Sequence, residues 1–297
     1  MTVKVGVLAP ESSWHFQDLK RASDMLDGEV QLVSVDFPSL AAKVGFSTKA
    51  TFSDRYQSLD AFDAIIVRTM PRGSLQQIVF RMDLLHRIAG AGVRVINSPR
   101  SVEIAIDKYL SLSLMAAENI PVPPFAVCQT LEQGMDAFRD LGSNAILKPI
   151  FGSMGKNLHH LTDEDQARNA MRSFVERGEV LYLQQFVDHG GNDVRILVVG
   201  NQAFSMKRVN PNGGWLTNIS CGGIAEVHQA TQIEIDLALR AAKANACQIA
   251  GVDIVYNAES RDPLVLEVNA SPGWEAIQKV CEGSVANSVL KLAANIR

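Results

Sequence analysis

The sequence predicts an α/β fold that begins with a parallel sheet flanked by helices and continues into a mixed region of helices and strands. In the first hundred residues, short β-rich segments alternate with amphipathic segments, as in a doubly wound parallel sheet. Further along, two apolar segments are joined by Gly200-Asn201, which predicts an antiparallel hairpin. With 297 residues, 47% of them hydrophobic and 20% charged, the chain is long enough for two or three subdomains.

We expect the first part to contain four strands and two helices. The predicted strands are Val3–Ala9, Val30–Val35, Ala64–Arg68 and Val93–Ile96. The predicted helices are Trp14–Leu26 and Leu75–Ala89, and the second ends in Gly90-Ala91-Gly92, as a helix C-terminus does. Ligands of such a sheet bind beyond the carboxyl ends of its strands, which singles out residues 9–13 and 68–74.

A break at Asn97-Ser98-Pro99 places a domain boundary at residue 98. After it, Ser98 or Ser101 caps a predicted helix that continues through Asp107-Lys108 to Glu118. The later predicted strands are 125–129, 145–149, 180–185, 193–199, 202–208, 251–256 and 266–269. The later predicted helices are 131–141, 163–177, 232–248 and 285–294.

Charge and cysteine content narrow the class of protein. With 28 basic and 32 acidic residues, the net charge is −4, so we expect no general attraction to nucleic acid or to an anionic membrane. The N-terminus lacks the apolar run of a signal peptide and no segment approaches a membrane span, so we expect a cytoplasmic protein. No Cys-x-x-Cys pair occurs, which favours reduced thiols over a disulfide frame or a zinc site.

The strand Leu266-Glu267-Val268-Asn269 is the strongest signal of chemistry in the chain. Glu267 and Asn269 are two residues apart and therefore face one side of a strand, while Leu266 and Val268 face the other. Asp253 lies in the preceding apolar strand. Carboxylate and amide oxygens suit a hard cation such as Mg²⁺, completed by water and substrate phosphates. The alternative is a pair of edge strands whose polar residues face solvent.

Two lysines and a loop of small residues predict a phosphate site. Lys148 ends an apolar strand, where its ammonium group is costly to bury unless it meets an anion. The loop that follows contains Gly152, Ser153 and Gly155, whose backbone N–H groups can approach anionic oxygens. It lacks the spacing of a Walker A motif, and a simple hairpin connection remains the alternative. Lys108, at a helix start, can reach the same anion or remain a solvated lysine.

A hinge between subdomains is predicted at Gln184-Gln185-Phe186-Val187, which continues a strand into a glycine-containing turn. Backbone groups of Gln185, Phe186 and Val187 can pair with the edge of an adenine ring. Asp193, shortly after the turn, can accept hydrogen bonds from ribose hydroxyls or serve as an ordinary turn residue.

The order of these motifs resembles that of ATP-grasp enzymes. Glu-Val-Asn-Ala-Ser-Pro-Gly at 267–273 and Ala-Gly-Val-Asp-Ile at 250–254 are similar to the RimK-like branch of ATP-dependent amino-acid ligases. The resemblance covers almost the whole chain. It implies a pre-ATP-grasp substrate domain at 1–98 and a two-part α+β ATP-grasp domain at 99–297. Within the latter, it implies a first subdomain at 99–184 that includes a lid loop, and a second at 185–297 that holds the metal site.

The resemblance also implies a set of site residues. The implied ATP-binding residues are Lys108, Lys148, Gly152, Ser153, Gly155, Gln185, Phe186, Val187, Asp193 and Leu266. The implied ligands of two Mg²⁺ or Mn²⁺ ions are Asp253, Glu267 and Asn269. The family usually has Glu where this chain has Gln185, a change that is tolerable if the adenine contact is through the backbone carbonyl.

The reaction implied is the ATP-dependent joining of a carboxylate to an amine through an acyl phosphate, with release of ADP and phosphate. The tetrahedral intermediate of the second step needs fixed donors for its oxyanion. Four candidates can provide them: Arg195, Lys207, Arg208 and Asn218. Arg195 and Arg208 lie on the predicted hairpin, where each can bind an anion through its guanidinium group or remain a surface arginine.

RimK-like ligases typically add L-glutamate, through its α-amine, to a carboxylate of a protein tail or a cofactor. An aromatic residue, Trp274, follows the turn. In this feature the sequence looks closer to the family members that glutamylate tetrahydromethanopterin. Arg68, Ser271 and Gly273 are the candidates for substrate contact, and members of the family often form homo-oligomers. Two alternatives remain: a ligase of the lysine-biosynthesis or dipeptide type, and a non-catalytic ATP-binding regulatory module.

Overall fold

The computed structural model describes residues 2–26, 28–44, 50–53, 57–152 and 157–295, and the predicted site residues Ser153 and Gly155 lie outside these ranges. In chain order, the strands are β1 Val3–Leu8, β2 Val30–Val35, β3 Ala41–Val44, β4 Ala50–Ser53, β5 Ala64–Val67, β6 Arg94–Ile96, β7 Phe125–Cys128, β8 Ala145–Lys148, β9 His159–Leu161, β10 Leu181–Gln185, β11 Asn192–Val199, β12 Gln202–Val209, β13 Ile224–Val227, β14 Ile249–Tyr256 and β15 Pro263–Asn269. The helices are α1 Trp14–Asp24, α2 Leu75–Gly90, α3 Pro99–Ile106, α4 Lys108–Ala117, α5 Leu131–Asp140, α6 Glu164–Glu176, α7 Gln232–Ala244, α8 Glu275–Gln278 and α9 Val285–Ala294.

The first sheet is parallel, with the strand order β2-β1-β5-β6. Leu84 and Leu85 of α2 pack in a core on one face, while Phe16 of α1 and Val289 of α9 pack in the core on the other face. Helices on both faces confirm the predicted doubly wound α/β sheet. The hairpin β3–β4 was not predicted, because the exposed residues Ala41–Val44 show no alternation of apolar and polar side chains.

The predicted continuous helix from the Ser98 region to Glu118 is wrong, because the structure divides it at Asp107 into α3 and α4. Asp107 has an extended backbone, with φ −91° and ψ 101°. Its side chain accepts a hydrogen bond from the Leu110 backbone N–H at 3.0 Å and thereby caps α4. The break places Lys108 at the first residue of α4.

The second sheet is antiparallel, with the strand order β7-β10-β8-β9. Helices α5 and α6 cover one face, where Phe138 and Phe174 pack in a core with Leu181 and Leu183. Side chains alternate along a strand, so Tyr182 and Gln184 of β10 face the opposite side.

The third sheet is antiparallel, with the strand order β13-β12-β11-β14-β15. Ile196, Val252 and Val268 pack in the core beneath α7 on one face. On the other face, Leu197 and Val199 join the core beneath α9, but only at one end of the sheet. Beyond that end, the same face carries Asp193, Arg195, Arg208, Asp253 and Glu267, and we call it the polar face. The predicted hairpin β11–β12 is confirmed, with the two strands paired in register up to the turn at Gly200-Asn201.

Asn97 fastens the end of the first sheet to the third sheet. Its side chain is 1% exposed and forms four hydrogen bonds with backbone groups. Nδ2 donates to the carbonyls of Ile249 at 2.6 Å and Ala270 at 2.7 Å. Oδ1 accepts from the backbone N–H groups of Gln248 at 2.7 Å and Ile249 at 2.9 Å. Asn97 therefore fixes the start of β14 beside the end of β15.

Replacing Asn97 with alanine should lower the free energy of unfolding by about 3 kcal/mol, because the variant leaves buried backbone groups without partners. Urea unfolding followed by circular dichroism measures this change. N169A, at an exposed position of α6, is the control and should change the free energy of unfolding by less than about 0.5 kcal/mol. Equal stability of N97A and the wild type would contradict the assignment of Asn97 as a joint.

Candidate active site

The polar face of the third sheet carries the residues predicted to bind metal. Arg195 is paired with Asp253 across β11 and β14, and Asp253 is paired with Glu267 across β14 and β15. Directly opposed residues project from the same face of a sheet, so these three side chains form a row. Asn269 is opposite Gly251, two positions further along. The structure therefore brings Asp253, Glu267 and Asn269 together.

Leu266 was predicted to face the side opposite to Glu267, and this is wrong. Asp253 pairs with Glu267 but Ile254 pairs with Val265, so Leu266 is the extra residue of a β-bulge. Val265 and Val268 consequently both enter the core beneath α7, although they are three residues apart. Leu266 and Glu267 are left together on the polar face. The sequence contains no signal for the bulge.

A buried ion cluster lies beside this row. Arg208 is 4% exposed, and its Nε donates to Asp193 Oδ1 at 2.7 Å. Its Nη2 forms ion pairs with Asp193 and, at 2.9 Å, with Asp253 Oδ2. Arg195 Nη2 donates to the same Asp253 oxygen at 2.9 Å. Burial alone raises the pKa of the Asp253 carboxyl, but Arg195 and Arg208 outweigh burial and hold that pKa below its ordinary value.

The ion cluster also anchors the loop that contains Asn218. Thr217 is buried, and its Oγ1 donates to Asp193 Oδ2 at 2.9 Å. A side chain at Gly223 would collide with the Thr217 carbonyl oxygen, so the loop requires glycine there. Both carboxylate oxygens of Asp193 are occupied, and its binding of ribose stays a prediction.

Lys207 does not join the other candidate oxyanion donors. It is opposite Val194, which packs in the core beneath α7, whereas the neighbouring Arg208 projects from the polar face. Residues next to each other in a strand face opposite sides, so Lys207 and Arg208 lie on different faces. The structure therefore brings Arg195 and Arg208 together and leaves Lys207 apart.

The predicted phosphate-binding lysines lie together at the second sheet. Lys148 is buried, and its Nζ donates to Gln184 Oε1 at 2.8 Å. Burial lowers the pKa of Lys148 to about 8; the Lys108 charge adds to this effect, and the Glu267 carboxylate opposes it. Lys108 Nζ donates to the Gly152 carbonyl at 2.6 Å. Lys148 is thus coupled electrostatically to Glu267, which belongs to the third sheet.

Two residues that sequence reasoning missed, Tyr182 and Gln184, line the same face of the second sheet. Gln184 is 4% exposed, and its Nε2 is buried without a hydrogen-bond partner among the described residues. The buried Tyr182 hydroxyl also has none, and its pKa is raised by burial and by the charges of Glu267 and Asp107. The alternation of polar and apolar residues in Leu181–Gln185 is a signal that could have identified them.

The predicted adenine hinge borders an aromatic cluster of three rings. The Phe186 ring stacks on His160, with 4.1 Å between ring centroids, and Trp215 lies edge-on at 6.2 Å from Phe186. The exposed Gln185 uses its backbone N–H to bond Pro124, so that group is already occupied, and Val187 is buried. His160 was not singled out from the sequence, in which its ring partners Phe186 and Trp215 lie far along the chain.

The three predicted substrate residues meet at the turn that follows β15. Ser271 Oγ donates to the Val67 carbonyl at 3.2 Å, and Arg68 Nη2 donates to the Pro272 carbonyl at 2.7 Å. Gly273 lies beside His15, a residue of the first part of the chain. Trp274, however, is fully buried. Its ring is therefore not available to stack on a substrate.

Comparison with known proteins shows which family this chain resembles. The family model of the RimK-like ATP-grasp domain matches residues 105–293. The tetrahydromethanopterin:alpha-L-glutamate ligase of Methanosarcina acetivorans is 29% identical over 265 residues, which are 80% of this chain and 82% of that protein. A probable alpha-L-glutamate ligase of Mannheimia succiniciproducens is 32% identical over 234 residues, which are 78% of this chain and 76% of that protein.

A solved structure shares the fold over the whole length. The Chryseobacterium gregarium RiPP-associated ATP-grasp ligase, solved with ADP and with a leader and core peptide, matches 100% of this chain and 98% of its own. The TM-score is 0.76 at 12% sequence identity, so this likeness concerns the fold alone. The family match and the fold confirm the resemblance found in the sequence, and the chain belongs to the RimK-like ATP-grasp family.

Proposed function

We propose that this protein is an ATP-dependent carboxylate–amine ligase that adds L-glutamate, through its α-amine, to a carboxylate of a small molecule or cofactor. The observation that carries the proposal is the electrostatic interaction between the buried Lys148 ammonium and the Glu267 carboxylate, which belong to two different sheets. A triphosphate placed between them meets cations on one side and oxygen ligands for its metal on the other. The relatives named alpha-L-glutamate ligases support glutamate as the amine.

The reaction has two steps. A carboxylate oxygen of the acceptor attacks the γ-phosphorus of ATP, and the bond to the bridging oxygen breaks to release ADP. The amine nitrogen of glutamate then attacks the acyl carbon, loses a proton, and expels phosphate. Lys108 and Lys148 are proposed to hold the phosphates, and Arg195 is proposed to donate to the oxyanion of the tetrahedral intermediate.

The residues fit a divalent cation, Mg²⁺ or Mn²⁺, in part. Among the described residues, no group of three His, Cys, Asp or Glu side chains is arranged to hold a metal, so the amide of Asn269 has to contribute. Glu267 is half-buried and forms no ion pair with a described residue, as a ligand requires. Asp253 is ion-paired with Arg195 and Arg208. It can therefore bind a second metal ion only if these arginines release one of its carboxylate oxygens. Such ions neutralise charge on the phosphates.

The acceptor most favoured is a tetrahydromethanopterin-type pterin, because a relative with that activity aligns with 80% of the chain. No helix within the described residues is long and apolar enough to cross a membrane. We further propose a cytoplasmic homo-oligomer that binds no nucleic acid, with domain boundaries at residues 98 and 184.

Mass spectrometry tests the activity directly. Incubation of the protein with ATP, Mg²⁺, L-glutamate and tetrahydromethanopterin should yield a product larger by one glutamyl group, together with equal amounts of ADP and phosphate. The same mixture without the pterin is the control and should release little ADP. Tight binding of ATP with no ADP formed in either mixture would favour the regulatory-module alternative.

The substitution E267Q should lower turnover by about 1,000-fold or more, because it removes a carboxylate proposed to neutralise phosphate charge through its metal. The affinity for the adenosine part of the nucleotide should change only a few-fold. E282Q is the control, since Glu282 is exposed, and it should keep the turnover of the wild type. Near-normal turnover of E267Q would overturn the assignment of Glu267.

Lys148 should make the use of ATP depend on pH. Its pKa is lowered to about 8, so its positive charge is present below that pH and is lost as the pH rises through it. The kcat/KM for ATP, which reports groups of the free enzyme, should therefore fall above about pH 8. In K148R the profile should stay flat over that range, because arginine keeps its proton.

The control for the pH profile is K207R, which changes a lysine on the opposite face of the third sheet and should retain the fall above pH 8. A fall of equal size in K148R would assign the titration to another group.

A further inference from the structure

Arg68 is a buried cation without a counter-ion. It is 5% exposed, and no carboxylate of the described residues lies within ion-pair distance of it. Its one described side-chain hydrogen bond joins Nη2 to the Pro272 carbonyl oxygen at 2.7 Å. Its Nε is buried and has no partner among the described residues. Burial alone lowers the pKa of Arg68 to about 9, with no carboxylate to oppose the effect.

The other two arginines near the site differ from Arg68. Arg195 pairs with Asp253, and Arg208 pairs with both Asp253 and Asp193, so their charges are compensated within the protein. A buried charge that is not compensated is destabilising, and purely structural contacts of this kind could be made by a neutral side chain. The charge of Arg68 therefore points to an anion that comes from a ligand.

The position of Arg68 shows which ligand this is. Arg68 directly follows β5, at the carboxyl end of a parallel sheet, where ligands of such sheets bind. The adjacent Val67 carbonyl is bonded to Ser271, only two residues beyond Asn269. An anion bound by Arg68 thus lies at the end of β15, on the side of the first sheet. The lysines proposed to bind phosphate belong to the second sheet, in the case of Lys148, and to α4, in the case of Lys108. We therefore assign this anion to a substrate other than ATP.

The Trp274 ring holds the guanidinium group in place, and His15 and Asp18 fix Trp274. The carbon Cζ of Arg68 lies 4.2 Å from the centroid of the Trp274 ring, so one face of the guanidinium stacks on an aromatic surface. Trp274 is itself fixed, because its Nε1 donates to Asp18 Oδ2 at 2.9 Å and its backbone N–H donates to His15 Nε2 at 3.1 Å.

His15 adds no competing positive charge. A backbone N–H can only donate, so His15 Nε2 must be unprotonated to accept from Trp274. Burial, and next the charge of Arg68, lower the pKa of His15 to about 4, which keeps the ring neutral at physiological pH. Arg68 is therefore the cation that this part of the site offers to an anion.

We propose that Arg68 binds a substrate carboxylate that the ligation leaves intact, and that Trp274 and His15 are positioning residues for its guanidinium group. The proposal rests on the proposed function, since it assumes an amino-acid ligase. Such a carboxylate can come from two sources. The amino acid has a carboxylate that takes no part in the new amide bond, and an acceptor can have a second carboxylate besides the one that is joined.

Calorimetric titration of the full chain in the presence of ADP distinguishes the two sources. The probes are L-glutamate and tetrahydromethanopterin, and the proteins are the wild type, R68Q and R87Q. R68Q should bind one probe about 10- to 100-fold more weakly, the loss expected for a charge-assisted pair. R87Q removes an exposed arginine of α2 and should bind both probes as the wild type does. The probe that is weakened identifies the source of the carboxylate.

Equal affinity of the wild type and R68Q for both probes would overturn the proposal, as would failure of the wild type to bind either probe. Unchanged affinity for ADP in R68Q shows that the variant is folded. Binding is measured without turnover, so a protein that binds a probe through Arg68 but forms no glutamyl product contradicts the proposed function and not this site.

The positioning role has its own test. W274L removes the aromatic surface. It should reduce, by about tenfold, the affinity for the probe whose binding R68Q weakens, and it should leave the affinity for ADP unchanged. W274F restores a ring and should recover most of that affinity, although it loses the bond to Asp18. Equal affinities of W274L and the wild type would show that Arg68 does not depend on Trp274.

Discussion

The bridge that Arg208 forms between Asp193 and Asp253 is the interaction on which the site depends. It joins β11, β12 and β14, and through Asp193 it also holds Thr217 in the loop that follows β12. Loss of one partner would leave a charge buried and unpaired, which is much more destabilising than the absence of the whole cluster. The cluster therefore fixes the spacing of the strands from which Arg195 and Glu267 project. Arg195 and Arg208 therefore position the strands of the site through their ion pairs with Asp193 and Asp253.

The charges of the site are divided between two sheets, although the whole chain is slightly acidic. The second sheet contributes Lys148, whose burial lowers its pKa, and the third contributes the Glu267 carboxylate. The charge of each group is only partly compensated by other groups of the protein. In the proposed function, a nucleotide with its metal compensates both charges at once, so binding energy is available without a large basic surface.

The first sheet is attached to this centre by contacts with the backbone of β14 and β15. Asn97 bonds Ile249 and Ala270, while Arg68 bonds the Pro272 carbonyl. Both contacts lie within three residues of Asn269 or its neighbour Gly251 in the sheet. These bonds tie the end of the first sheet to the end of β15, which carries the proposed metal ligand Asn269. In the proposed function, they keep a substrate bound at Arg68 in position relative to the phosphates.

The sequence by itself determined the doubly wound sheet, the hairpin β11–β12 and the placement of Glu267 and Asn269 on one face of a strand, because periodicity and strand alternation are local properties of a chain. It did not determine the bulge at Leu266 or the placement of Lys207 on the far face of the third sheet. The pairing of Arg208 with Asp193 and Asp253, the stacking of Arg68 on Trp274 and the four bonds of Asn97 were likewise decided by the tertiary structure. Those features depend on which strands become neighbours and on which charges lose their water, and both are set only when distant parts of the chain pack together.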